Sequence, residues 1–135
     1  NASQYRGEVP FDHWVSRVAV STCLDRLRAQ KRRPEWRWAD LSEREAEVLD
    51  AVLHSEHEPH PSQAAEAGEL VGKLLQTLNP EDQLVIRLLD LEECSVAEIA
   101  ARTGWSQTLV KVRAFRARRK LRKQLEALEN QKRHE

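Results

Sequence analysis

Seven cations crowd one short stretch: Lys111, Arg113, Arg116, Arg118, Arg119, Lys120 and Arg122, with no Asp or Glu between Gln107 and Leu125. Guanidinium and ammonium groups at this density attract phosphate. Their spacing adds direction. At about 100° per residue, Val110, Ala114, Ala117, Leu121, Leu125 and Leu128 make one apolar stripe. Thr108, Lys111, Val112, Phe115, Arg116 and Arg119 make the opposite side. An aliphatic back with a cationic front, bearing one aromatic and one Val, suits a DNA groove. Lys and Arg reach guanine edges or phosphates, and Phe or Val meets thymine methyls. Arg113, Arg118 and Arg122 flank this face within reach of backbone phosphate, contacts that orient a helix without reading sequence. A charge run alone usually means a solvated helix side. The missing acids and the preceding residues favour nucleic acid instead.

Those preceding residues are Ser95 to Ser106. Ser95 and Glu98 have the spacing of a capping box, in which each satisfies an orphan N–H of the other's turn. Ile99 and Ala100 face inward, and Ala100 is small where two helices cross closely. Gly104 supplies a left-handed turn residue. Ser106 caps a second helix running from Gln107 to about Leu128. The unit is a helix-turn-helix with a cationic second helix.

The elements that must hold it are helical too. Gly and Pro are scarce and fall between helical patterns, so the chain reads as all-α. Phe11 to about Arg32 is one helix, with Val15, Val18, Ala19, Cys23 and Leu27 on an apolar face that Val20 and Leu24 widen. It ends in cations before Pro34. Residues 34 to about 61 form a linker in which Ala46, Val48, Leu49, Val52 and Leu53 could form a short helix. Ser62 to Leu78 is a helix with Leu70, Val71, Leu74, Leu75 and Leu78 inward. Asn79-Pro80-Glu81-Asp82 is a cap, a first-turn Pro and two acids suited to a helix start. The helix it begins, about Pro80 to Glu92, buries Leu84, Val85, Leu88 and Leu91. The organisation is therefore residues 1–39, an acidic linker 40–61, and a four-helix domain 62–135.

The 135 residues carry equal numbers of Lys/Arg and Asp/Glu, which would count against nucleic acid if charge were evenly spread. Residues 1–39 hold eight cations against four acids, residues 40–69 one against nine, and residues 70–135 thirteen against nine. Local field therefore matters more than net charge. Cys23 and Cys94 match no metal spacing and read as small core residues of a protein in a reducing, cytoplasmic setting. No apolar run reaches the ~20 residues of a membrane span. His54, His57 and His60 alternate with Glu56 and Glu58, but Pro59 and Pro61 break the segment, so it reads as solvated linker and not as a metal site. Trp36 and Trp38 could stack on a base or cover the first helix; packing is favoured, because Trp contributes buried area. Trp105 reads as a wedge between helices. No nucleophile, base and acid stand together and no phosphate loop is visible, so no enzyme and no cofactor are expected.

Two segments resemble a known family. Leu74–Leu121, containing Leu-Asn-Pro-Glu-Asp-Gln, Ser-Val-Ala-Glu-Ile-Ala and Phe-Arg-Ala-Arg-Arg-Lys-Leu-Arg, resembles region 4 of bacterial extracytoplasmic-function (ECF) sigma factors. Tyr5-Arg-Gly, Phe11-Asp-His-Trp-Val-Ser-Arg-Val-Ala-Val-Ser-Thr-Cys-Leu-Asp-Arg-Leu-Arg and Lys31-Arg-Arg-Pro resemble the second half of their region 2. The two occur in the family's order with a linker between.

The resemblance implies promoter recognition in transcription initiation. Region 4 would dock at the −35 element with Lys111, Val112, Phe115 and Arg116 on the bases and Gln107, Thr108, Arg113, Arg118, Arg119 and Arg122 on phosphates. The region 2 segment would contact the −10 element, where an unstacked base needs aromatic and cationic neighbours. Tyr5, Arg6, Trp14, Arg17, Ser21, Arg28, Arg32 and Arg33 are its candidates. Promoter DNA and core RNA polymerase are the implied partners, with an anti-sigma factor as a further one. The family's Gly-Thr before the buried Val is Thr108-Leu109 here, its next Ser is Val112, and its region 2 Asn is Ser21, so base preference is not transferable from relatives. The chain lacks Met, and the family's clamp-gripping helices would precede Asn1, so it reads as truncated at the N-terminus. The first helix should then pack its uncovered face on the region 4 helices or on another copy of the chain. Two other readings stand beside this one: a stand-alone helix-turn-helix regulator, such as a response-regulator output domain, and a helical module whose cations bind an acidic protein.

Overall fold

A computed structural model describes residues 11–30, 32–54 and 61–133. Tyr5, Arg6, His57 and His60 lie outside the described residues. Those described form six α-helices and no strand: α1 (Phe11–Ala29), α2 (Glu43–His54), α3 (Pro61–Leu75), α4 (Pro80–Ile86), α5 (Val96–Thr103) and α6 (Gln107–Arg133). A single 3-10 turn (Trp38–Asp40) precedes α2, and a π-helical turn (Arg87–Leu91) continues α4. No helix among the described residues is long and apolar enough to cross a membrane. The chain forms two compact units: one of α1 with residues 79–119, the other of residues 32–78 with α6 from Lys120 onward.

In the first unit α1 packs on α4 and α5. Only Leu24 of α1 is buried, with Val20 and Leu27 half-buried. The expected inward residues Val15, Val18, Ala19 and Cys23 are exposed. The helix is turned so that Arg17, Leu24 and Arg28 face the neighbouring helices. A strip that also carries cations can meet acids of α4, which a purely apolar strip cannot. The core below consists of Val85, Cys94, Ile99, Val110 and Ala114, with Leu88, Leu89, Val96, Ala100 and Trp105 packed against it.

The start of α4 matches its sequence chemistry. Asn79 Oδ1 accepts the Asp82 N–H at 2.8 Å, and Pro80 occupies the first turn. The end differs from expectation. The π turn inserts one residue into the helical phase, a displacement of about 100°. Leu91, expected inward, is consequently exposed. The chain leaves this turn through Glu93, at φ 56°, the one non-Gly residue with positive φ among those described.

The second unit holds Trp36, Leu41, Val48, Leu49, Leu70, Leu74 and Leu128 as a continuous core, with Trp38, Ala67 and Leu125 against it. The linker thus contains a core-forming helix, α2. Ser42 caps it by accepting the Glu45 N–H at 3.1 Å, and Glu45 accepts the Ser42 N–H at 2.9 Å. Glu45 also takes both bonds of the Lys73 ammonium, at 2.9 and 2.8 Å, which hold its carboxyl below the usual range. α3 ends at Leu75, earlier than expected, and Val71 is exposed. Thr77 is buried and satisfies its hydroxyl on the Leu74 carbonyl at 2.9 Å.

Trp36 and Trp38 pack as favoured, but on this core rather than on the first helix. The buried Gln124 amide clasps the Trp36 backbone: its Oε1 accepts the Trp36 N–H and its Nε2 donates to the Trp36 carbonyl, both at 2.9 Å. The indole N–H donates to the Lys73 carbonyl at 3.1 Å. An irregular segment has no ladder to satisfy its backbone, and this side chain replaces one.

Two stability outcomes follow. Gln124→Ala leaves a buried N–H and a buried carbonyl unmet and should cost about 2–4 kcal/mol, seen as a lower urea midpoint at unchanged slope. Glu93→Gly relieves a left-handed L-residue and should stabilise by about 0.5–1 kcal/mol, seen as a higher midpoint; Glu93→Val should lower it.

Candidate nucleic-acid interface

The helix-turn-helix is α5, the turn at residues 104–106 and the first half of α6. Ser95 Oγ accepts the Glu98 N–H at 3.0 Å, and Glu98 Oε1 accepts the Ser95 N–H at 3.3 Å, completing the box. Gly104 closes α5 at φ 78°, its N–H bonded to the Ala100 carbonyl at 2.9 Å. An L-residue here would carry the left-handed strain that Gly avoids. Thr103 Oγ1 donates to the Ile99 carbonyl at 2.7 Å and accepts the Trp105 N–H at 3.1 Å, so the turn is bonded on both sides. Ser106 Oγ accepts the Leu109 N–H at 3.1 Å and starts α6.

This entry fixes which side of α6 is buried. Val110 and Ala117 are fully buried and Ala114 nearly so. Thr108, Lys111, Val112, Phe115, Arg116 and Arg119 are all exposed, with Phe115 at 68%. A Phe so exposed, flanked by cations, contributes nothing to this unit's interior. Gln107 and Thr108 are exposed in the first turn of α6, where backbone N–H groups and the dipole favour an anion.

The flanking arginines are engaged. Arg113 is half-buried, its guanidinium over the Trp105 ring at 4.2 Å, a cation–π contact. Trp105 is thus the expected wedge and also a platform. Arg118 makes a two-bond contact with Asp90, Nε at 3.1 Å and Nη2 at 2.5 Å. Arg116 Nη2 lies 3.6 Å from Asp82 Oδ1. Asp82 and Asp90 escaped the sequence reading, which took first-turn acids only as dipole partners. A second signal was present: acids in one segment facing a helix that has none before position 126. Arg122 is exposed and lies on α6 in the second unit.

The candidates for the second contact are placed as follows. Trp14 is half-buried and stacks on Phe11 at 5.8 Å between centroids. Arg17 is exposed, and its side chain lies against the turn, where a Cβ on Gly104 would be 3.5 Å from its Nε. Ser21 is exposed. Arg28 donates to Glu81 at 2.8 Å, a bond that holds the Glu81 carboxyl below its usual range. Arg32 is exposed in the second unit. There Arg33 pairs with Asp40 at 2.6 Å and lies over the Trp36 ring at 4.2 Å. The side chains of Trp14, Arg17, Ser21 and Arg28 share α1, while Arg32 and Arg33 belong to the following segment.

A family model described as "Sigma-70, region 4" matches residues 68–121, the span that holds the helix-turn-helix and the exposed face. Among curated proteins, the ECF RNA polymerase sigma-E factor of Haemophilus influenzae is 32% identical over 127 residues, covering 92% of this chain and 66% of the relative. The ECF RNA polymerase sigma factor SigM of Mycobacterium tuberculosis is 28% identical, covering 89% of this chain and 54% of the relative. The ECF RNA polymerase sigma-E factor of Escherichia coli is 31% identical, covering 84% and 60%. The chain therefore spans between about half and two thirds of the length of these curated relatives. No solved structure matches it. With one family model on the helix-turn-helix and similarity to these relatives along most of its length, the chain belongs to the ECF RNA polymerase sigma-factor family.

Proposed function

We propose that this chain recognises promoter DNA during bacterial transcription initiation, in the cytoplasm and together with core RNA polymerase. The observation that carries this reading is the exposed Lys111, Val112, Phe115 and Arg116 face on the second helix of a fully capped helix-turn-helix, within a segment that matches sigma-70 region 4. In this reading those four residues meet base edges of the −35 element. Gln107, Thr108 and Arg119, exposed beside them, meet phosphates directly. Arg113, Arg118 and Arg122 are the further phosphate contacts. For Arg118 this means exchanging one anionic partner for another, since Asp90 already accepts from its Nε and Nη2.

The −10 element falls to α1 and the residues after it, with Trp14, Arg17, Ser21, Arg28, Arg32 and Arg33 joined by Tyr5 and Arg6. Arg28 faces the same exchange, between Glu81 and phosphate. An anti-sigma factor is a further proposed partner. So is a second copy of the chain, because Phe11, Val15 and Val18 stay exposed on α1.

The test begins with a duplex selected from a random pool by the chain, followed by fluorescence anisotropy across a salt series. Binding should weaken linearly in log–log form, as counterion release requires. Arg119→Ala should weaken all duplexes alike and lower the salt slope by about 1. Arg116→Ala should cost about 1–3 kcal/mol at one base pair and relax preference there. Equal weakening at every sequence would remove Arg116 from base reading. Salt-insensitive binding, or tight capture of an acidic protein in place of DNA, would sink the proposal.

A further inference from the structure

The exposed face of α6 is not built from α6 alone. Asp82, in the first turn of α4, is buried, with only 10% of its side chain exposed, and its Oδ1 stands 3.6 Å from Arg116 Nη2. Its backbone is pinned by the Asn79 cap. The helix N-terminus favours its negative charge. Arg116 reaches outward from this anchor with 58% of its side chain exposed. A carboxylate held at one edge of a planar guanidinium leaves donors on the other edges for a second acceptor.

We propose that Asp82 is a positioning residue for sequence reading: it holds Arg116 in the orientation that meets a base. This rests on the promoter-recognition reading and deepens it. The physical gain is preorganisation. A solvated arginine loses rotamer freedom when it docks, and one already held by a partner loses less. The gain applies only where two of the remaining guanidinium donors find base acceptors, so it sharpens discrimination more than general affinity.

The experiment compares wild type, Asp82→Asn, Arg116→Ala and the double variant by anisotropy. The probes are the selected duplex, its single base-pair substitutions and an unrelated duplex. Asp82→Asn should lower discrimination at the base pair read by Arg116 by about two- to ten-fold, with binding to the unrelated duplex unchanged or tighter. In the Arg116→Ala background the same change should leave the discrimination ratios unaltered, because the side chain that Asp82 orients is gone. That dependence on Arg116 is what a merely structural role would not produce. Weaker binding in both backgrounds, or an unchanged discrimination ratio beside a discriminating wild type, overturns the proposal for Asp82 alone. A wild type that does not discriminate among single substitutions overturns the promoter reading and this proposal with it. Thermal melting is followed throughout, and Asp82→Ser, a residue suited to a first helical turn, repeats the measurements if the Asn variant melts early.

Discussion

The exposed cationic side of α6 depends on one packing constraint: Val110 and Ala114 must lie in the core formed with Val85, Cys94 and Ile99. Val110, Ala117, Ile99 and Val85 have no exposure at all. A close-packed core of this kind tolerates little rotation about the α6 axis. Because helical phase is rigid at 3.6 residues per turn, burying this stripe decides at once that Lys111, Phe115 and Arg116 point outward. Gly104 and the caps at Ser95 and Ser106 supply the entry angle, but the small, buried back of α6 holds the register.

The electrostatics are built on the same frame. The chain is neutral overall, yet its neutrality is not a uniform blend. In the first unit the acids of α4 and the π turn are spent on particular cations: Glu81 on Arg28, Asp82 on Arg116, Asp90 on Arg118. Lys111 and Arg119 stay exposed on the same face. The result is a graded surface, in which some cations are exposed on the face and others are already held by a carboxylate. An anion that took over one of the paired arginines would gain little in water, because it would replace a carboxylate already there.

The legible parts of this structure are the ones whose chemistry is local. The capping box, the Gly104 turn, the Asn79-Pro80 start and the α6 stripe each lie within a few residues, and each stands where the spacing placed it. What local pattern missed is long-range or polar. α1 offers two apolar strips, and the choice between them was made by acids on α4, far along the chain. Leu91 left the core because a π turn shifted the phase, and no residue in Arg87–Leu91 announces that insertion. Gln124 sits among surface-type residues on α6, so its burial against Trp36 is invisible without knowing that an irregular segment, 88 residues away, arrives there with an unmet backbone.

The division of labour along α6 follows from its own sequence. Through Arg119 the helix belongs to the first unit, and its outward side is cationic and free of acids. From Lys120 it serves the second unit, where Leu125 and Leu128 pack on the core and Gln124 clasps Trp36. Acids return here: Glu129 lies 3.7 Å from His54, and Asp50 of α2 pairs with Lys132. A helix that had to read phosphate along its whole length could not carry those carboxylates, and one that only packed would have no reason to exclude them earlier. Glu first reappears at position 126, inside the part of the helix that belongs to the second unit. Phe115, on the acid-free half, is exposed, while Leu128, on the other half, is fully buried in the core of the second unit.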